Sequence, residues 1–291
     1  MKGTFTVGAI AHSLLGGRAT GSLRRFLRGT VASLDWYRSI FRERRGLEIG
    51  GPSPMFSEDG ILPIYDVVKS LDNCLFANRT IWEGQVREGR NFQYALGKEP
   101  GVQFILEATA LHGIQDAGYE CILSCHTLEH VANPLRALEE WKRVSVRDGL
   151  LLLVLPHKDG TFDWKRAPTS VSHMVDDYEK NTGEDDLTHL PEILALHDLA
   201  KDKGAGSAEN FRQRSLQNHE CRALHHHTFD TRTAVSMISY AGFQLLRVDH
   251  LKPFHIIMVA RCAQHPDNSA FLLPDAEYLR RSPFQSDHCR V

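Results

Sequence analysis

The chain has 291 residues, 42% of them hydrophobic and 24% charged, with a formal net charge of −2. That composition suits a globular core large enough to stand without staples, and a charge so near zero removes any global electrostatic case for nucleic acid or a membrane surface. No apolar run approaches the roughly 20 residues of a membrane span, and six cysteines without a Cys-x-x-Cys pair read as reduced thiols of a cytoplasmic protein.

Basic residues crowd the start of the chain. Nine Lys/Arg fall in the first 45 residues, against Asp35 and Glu43. The apolar spacing from Leu23 through Phe41 predicts an amphipathic segment packed on the domain with a solvated basic face, in preference to a transit peptide. This N-terminal helical segment is placed at 1–43.

GLEIGG (46–51) reads as a short apolar strand that stops at glycine. A second strand is expected around 64–71, ending at Asp72, followed by a helix or loop over 78–100. A third strand lies in 101–111 and ends near Leu106 or Glu107. YECILSC (119–125) is the fourth. NPLRALEEWKRVSV (133–146) predicts a helix: Asn133 caps it, Pro134 suits its first turn, and Leu135, Leu138, Trp141 and Val144 share one face. GLLLLVLP (149–156) is apolar on both faces, as in a covered parallel sheet. Residues 157–224 change character, rich in His, Asp, Glu and Thr, with helices expected near 189–200 and 207–220. A helix (231–241, with Asp230 or Thr231 as its cap), a strand (243–249), a link at Lys252-Pro253 and a strand (254–262) follow. The tail, 263–291, lacks periodicity and reads as loop or partly disordered.

Strands alternating with helices predict an α/β fold with a doubly wound, Rossmann-like sheet and helices on both faces. A helix, a strand, a short link and a final strand make a hairpin at its end. The domain is bounded at 44–262, with a mainly helical or loop insertion at 157–224 after strand five.

Taken in order, LEIGG, an acidic residue after the second strand, EATAL, CHTLEHVANPLRALEEWKRV and GLLLLVLP resemble the class I S-adenosylmethionine-dependent methyltransferases, of the type with a Leu-Glu-His segment after strand four. The resemblance covers about 44–160 and 225–262. It implies a seven-stranded sheet with its last strand antiparallel, and S-adenosylmethionine as cofactor. It further implies cofactor contacts at Glu48, Gly50, Gly51, Ser53, Asp72, Glu107, Ala108, Thr109 and Ser124. Gly50 and Gly51 let backbone approach a ligand closely, and an acidic residue after the second strand suits ribose hydroxyls. One departure stands out: Pro52 occupies the position of the family's second glycine and removes a donor.

Methyl transfer needs an aligned acceptor and, for a hydroxyl, a base. Sixteen histidines supply candidates. His126 follows strand four and His157 follows strand five, so both are expected at the ligand edge as catalytic residues. Asp159, Phe162, Trp164, His189, His225 and His226 are expected to grip the acceptor. A metal held by His157, Asp185, Asp186, His189 and one of 225–227 lacks any fixed ligand spacing, so a polar lid without metal is preferred. Cys121 and Cys125 read as core thiols and Trp82 as packing. The expected activity is O-methylation of a small molecule or glycan hydroxyl, with no membrane or nucleic-acid partner. The competing reading is a non-catalytic module that binds the cofactor or a partner.

Overall fold

The computed structural model describes residue 31 and residues 33–289; the basic N-terminal segment falls outside them except for its end. There, helix α1 (Leu34–Phe41) buries Tyr37 and Phe41 against the domain. The strands are β1 (Arg45–Ile49), β2 (Ser70–Leu75), β3 (Arg79–Thr80), β4 (Gly84–Gln85), β5 (Gly89–Phe92), β6 (Gly101–Ile105), β7 (Tyr119–Cys125), β8 (Ser145–Pro156), β9 (Gln244–Leu251) and β10 (His255–Arg261). One sheet has the order β5-β6-β2-β1-β7-β8-β10-β9, and β3 pairs with β4 in a separate ribbon. β6, β2, β1, β7 and β8 run parallel, while β10 lies antiparallel between β8 and β9. That is the expected doubly wound sheet with its terminal hairpin. It has eight strands rather than seven, because β5 adds an antiparallel edge beside β6. The 78–100 stretch is therefore short strands and turns, not a helix.

The sheet is covered on both faces. Alternation along β1 sends Leu47 and Ile49 into one core, with Trp141, Leu138, Met174 and Ile238, and turns Glu48 to the other face. The opposite core gathers Tyr37, Phe41, Phe56, Leu62, Ile64 and Tyr65. Helix α2 (Pro134–Val144) begins as the sequence predicts: the Asn133 side chain accepts from Arg136 N at 3.0 Å, with Pro134 in the first turn. Ahead of β9, helix α7 (Thr231–Tyr240) is capped by Asp230, whose carboxylate accepts from Thr233 N at 2.7 Å.

Two element expectations fail. The apolar run at 61–68 is not a strand; it is a series of turns whose Leu62, Ile64, Tyr65, Val67 and Val68 are buried in the second core. β2 lies further on, at SLDNCL, so Asp72 is the third residue of the strand and not its end. The tail also differs. Residues 263–289 are folded onto the domain, with helix α8 (Glu277–Arg280) and a 3-10 turn at Ser286–His288 that buries Asp287. The insertion holds α3 (Val171–Lys180), α4 (Leu190–Leu196), α5 (Ala208–Leu216) and α6 (Asn218–Cys221), built on a small core of Leu190, Ile193, Phe211 and Leu224. The first of these helices has no counterpart among the expected elements. All six cysteines are free. No helix among the described residues is long and apolar enough to cross a membrane.

Candidate active site

In an open α/β sheet the ligand crevice lies at the carboxyl ends of the strands, where the strand order reverses. Here the reversal falls between β1 and β7, and Gly50, Phe76, Leu106 and His126 follow the strand ends. These edge residues, and the run from Phe104 to Ala110, are only half-buried, so the edge is not filled by core side chains.

The turn after β1 is built tightly. Gly50 has φ 86°, and a Cβ there would meet Thr127 Oγ1 at 2.1 Å; at Gly51 it would meet the Glu48 carboxyl at 2.3 Å. The Asn73 side chain reads Gly51 twice, accepting from its N–H at 3.0 Å and donating to its carbonyl at 2.9 Å. Buried Glu48 accepts from Ser53 N (3.2 Å) and from the Tyr65 hydroxyl (2.7 Å). Burial pushes its carboxyl up to about 7, although those hydrogen bonds pull the other way. Glu48 and Asn73 thus hold the shape of the turn, and Ser53 is anchored to it by its own N–H.

Asp72 is not at this edge. Its carboxylate accepts from Val102 N (2.7 Å) and from the Tyr119 hydroxyl (2.8 Å), which ties β2 to β6 and β7 in mid-sheet. The ribose role expected of it is withdrawn for that reason. Phe76 stands after β2 instead, with the Arg222 guanidinium 4.9 Å above its ring. Arg222 bridges Glu107 (2.7 Å) and Glu184 (2.8 Å), so the insertion reaches across to the turn after β6. Ala108 lies beside Glu107 and accepts from the Trp141 indole at 3.1 Å. Ser124, near the end of β7 and paired with Ile49, carries a buried hydroxyl without a hydrogen-bond partner among the described residues.

Past β7 the acceptor side begins. His126 sits in the left-handed region (φ 53°), its Nε2 3.0 Å from His255 Nδ1. Burial, and then the neighbouring His255, hold it down at about 3, so it is neutral near pH 7 and committed to a partner. The Leu128–His130 turn brings a different group together. Glu129, His130 and His225 each place a ligand atom within 4.8 Å of the others. His130 Nδ1 meets Leu224 O at 2.9 Å, and His225 Nδ1 meets Asp163 Oδ2 at 2.5 Å. Each contact fixes the tautomer and leaves Nε2 unprotonated on the neutral ring. Glu129 is buried with Oε2 unpartnered among the described residues, and burial raises its carboxyl to about 7. Burial opposes charge on His225, but Asp163 outweighs it and the net shift is upward. Arg166, buried, steadies Asp163 at 3.2 Å and the carbonyls of His225 and His226. Phe162 packs on His225, and Trp82, half exposed, meets His130 edge-on at 5.3 Å.

Several expected site residues are elsewhere. His157 is fully buried, stacked on Phe284 at 4.0 Å, with Nε2 3.3 Å from Asp287. Asp159 accepts from Ser286 N at 2.8 Å. Both hold the C-terminal segment, so the catalytic role of His157 and the acceptor role of Asp159 are withdrawn. Asp159 and Trp164 line a cavity of about 420 Å³ with Pro253, Phe284 and Ser286, beyond the end of β8 and beside the β9–β10 turn. Trp164 is half exposed, its indole donating to Asp198 at 2.8 Å. His226 is buried against Asn218 (3.0 Å), and His189 turns to His173 (2.9 Å), so neither joins the Glu129 group. Asn73, Arg222, Asp163, Glu129 and Trp82 were not selected from sequence. Glu129, Trp82 and Asp163 carried a local signal, in LEH, in TIWEG and in PHKDGTFD.

The order of strands and the crevice at the β1–β7 reversal define a class I nucleotide-type α/β fold. Residues 81–153 match a family model described as a methyltransferase domain. With the strand order, that match supports a class I S-adenosylmethionine-dependent methyltransferase, for which S-adenosylmethionine is the methyl donor. No curated protein matches the sequence. Among solved structures, a SAM-dependent methyltransferase from Methanosarcina mazei is 13% identical over 82% of this chain and 100% of its own, with a TM-score of 0.43. One from Aquifex aeolicus is 12% identical over 84% and 100%, with a TM-score of 0.38. The 1,6-didemethyltoxoflavin-N1-methyltransferase of Burkholderia thailandensis is 12% identical over 81% and 79%, with a TM-score of 0.41.

The crevice fits that donor in three respects: a glycine turn after β1, half-buried apolar edges at Phe76, Leu106 and Ala108 for a nucleoside face, and the unpartnered Ser124 hydroxyl. Glu107 offers the carboxylate there in place of Asp72.

Proposed function

We propose that the chain methylates a hydroxyl of a small, polar acceptor, a glycan unit included, with His225 as proton acceptor and Asp163 as its positioning partner. The observation that carries this reading is the Glu129, His130 and His225 group beside the end of β7. It presents two imidazoles and a carboxylate oxygen, Glu129 Oε2, without a hydrogen-bond partner among the described residues, next to the edge proposed for the donor. The walls are Trp82 and Phe162, and among the described residues the arginine at the group, Arg166, is taken up by Asp163, which suits a neutral, hydroxyl-rich acceptor over a phosphorylated one.

Bound S-adenosylmethionine supplies an electrophilic methyl group on its sulfonium. The chain's own residues supply alignment and a place for the proton. His225 Nε2 takes the hydroxyl proton as the oxygen becomes nucleophilic, and the Asp163 carboxylate stabilises the imidazolium that results. Arg166 keeps Asp163 ionised and in place. His130 and Glu129 orient the acceptor by hydrogen bonds. Arg222 closes the insertion over the Glu107 turn and keeps water from the edge.

The test is an acceptor screen with radiolabelled methyl donor, followed by His225→Ala and Asp163→Asn on the acceptor found. His225→Ala should lower kcat by about 100-fold or more, with Asp163→Asn closer to 10-fold. Binding of S-adenosylhomocysteine by calorimetry should be unchanged in both. Full turnover in His225→Ala would remove it from the chemistry.

A further inference from the structure

A second group of histidines lies inside the insertion, apart from the Glu129 group. His173 and Asp177 are one turn apart on α3, His189 caps α4, and His227 lies just before α7. A ring nitrogen from each of the three histidines lies within 4.8 Å of those of the other two. His173 Nε2 is 2.9 Å from His189 Nε2 and 3.3 Å from Asp177 Oδ2. Asp177 Oδ2 is also 3.9 Å from His227 Nε2.

Hydrogen bonding within the protein does not account for this arrangement. One imidazole can donate to the other across the His173–His189 contact, which satisfies two nitrogens. His227 donates from Nε2 to the Ala132 carbonyl at 3.1 Å, so its Nδ1 carries a lone pair. That Nδ1 and Asp177 Oδ2 are both buried and without hydrogen-bond partners among the described residues. Leaving such atoms unsatisfied costs about 1–3 kcal/mol each. A cation held by the three imidazoles, with Asp177 beside it, gives both atoms a partner. The second atoms are already placed as a metal site needs them: His227 Nε2 on a carbonyl, and Asp177 Oδ1 on the Thr182 hydroxyl at 3.1 Å.

We infer that His173, His189 and His227 form a structural zinc site, with Asp177 drawn in from beside His173 as its fourth ligand, that staples α3, α4 and the segment before α7. Three imidazoles and one carboxylate are a four-coordinate set that zinc favours. Zinc–nitrogen bonds near 2.0–2.1 Å place ligand nitrogens about 3.3 Å apart, so the His173–His189 contact has only a few tenths of an ångström to open. With Asp177 drawn in, the set closes on four protein ligands and leaves no open position, as in a structural site. Its consequence is positional: the stapled segment also carries His225. The sequence favoured a polar lid without metal; the metal set weighed against it (His157, Asp185, Asp186, His189 and one of 225–227) differs from this one in His157, which lies with the tail, and in its carboxylates.

The experiment measures zinc in the purified full-length chain by mass spectrometry, then titrates the chelated protein with zinc and with cobalt(II). One equivalent per chain is expected, with the intense visible bands of four-coordinate cobalt. His189→Ala should lose more than about 100-fold in zinc affinity, while Glu129→Gln should keep it, because that residue belongs to the other group. Absence of zinc together with no uptake on titration would overturn the site. So would unchanged affinity in His189→Ala, or loss of metal only in Glu129→Gln. If His189→Ala does not fold, the cobalt spectrum of the unaltered chain decides alone, and the weak bands of six-coordinate cobalt would count against the site. These readouts do not depend on methyl transfer.

Discussion

At the scale of single residues, Glu48, Asn73 and Asp72 show where local reading stops. The GLEIGG pattern made the strand and its glycine turn legible, because a buried strand ending at glycine has a period and a stop. What Asn73 does was not legible. Its partners are Gly51, 22 residues back, and Gln103, 30 residues on. Asp72 misled for the same reason: an acidic residue near the close of an apolar run looks like a strand end until Tyr119 and Val102 are seen to claim its carboxylate. His225 and Asp163 are 62 residues apart, and only the fold joins them. If that pair acts as proposed, Asp163→Asn should disturb turnover without disturbing the donor site, since the two lie on different sides of the crevice.

Among the elements, those with strong periodicity were read correctly: β7, β8, α2 with its Asn133 cap, and the β9–β10 hairpin. The C-terminal segment was not, because its order comes from one buried carboxylate and not from a repeating pattern. Asp287 accepts from Thr231 N (3.0 Å) and from the hydroxyls of Thr231 (2.6 Å) and Ser282 (2.5 Å), beside His157 and His250. Burial alone would raise its carboxyl; bonds from His157, Ser282 and Thr231 outweigh that and pull it well below the usual range. Asp287→Ala leaves those buried donors without an acceptor. A loss of about 2–4 kcal/mol is expected in urea unfolding, with release of the tail to protease. A change under 0.5 kcal/mol would show that the segment is not held this way.

For the whole molecule, buried titratable groups set how stability follows pH. Burial holds His126 at about 3, and His250 and His255 at about 4, against 6.5 in the unfolded chain; His130 is held well below 6.5. Each contributes stability that is complete above pH 6.5 and is lost as the pH falls toward the folded value, because only the unfolded chain takes up the proton there. The slope is at most roughly 1.4 kcal/mol per pH unit for each histidine. Glu48, Glu129 and Glu184 run the other way. Burial raises each from 4.5 to about 7, so the folded state gains protons between those limits and is favoured by acid. His226, also held at about 4, and His227, well below 6.5, join the first set, so the glutamates offset only part of the loss between pH 6.5 and 4.5. Below about pH 4.5 the glutamates no longer compensate, and Asp287 adds its own loss below 3.8, where only the unfolded chain takes up its proton. Urea midpoints should fall gently from about pH 6.5 to 5 and steeply below about 4.5. A midpoint that falls evenly from neutrality would mean that the glutamates are ionised in the fold.

The donor site itself is tested most directly by titrating the full-length chain with S-adenosylhomocysteine in a calorimeter, beside Arg222→Ala. One product nucleoside per chain at micromolar affinity is expected, weakened by about 10-fold when the guanidinium that spans Phe76, Glu107 and Glu184 is removed. No heat at millimolar ligand would contradict a nucleoside crevice at the β1–β7 reversal.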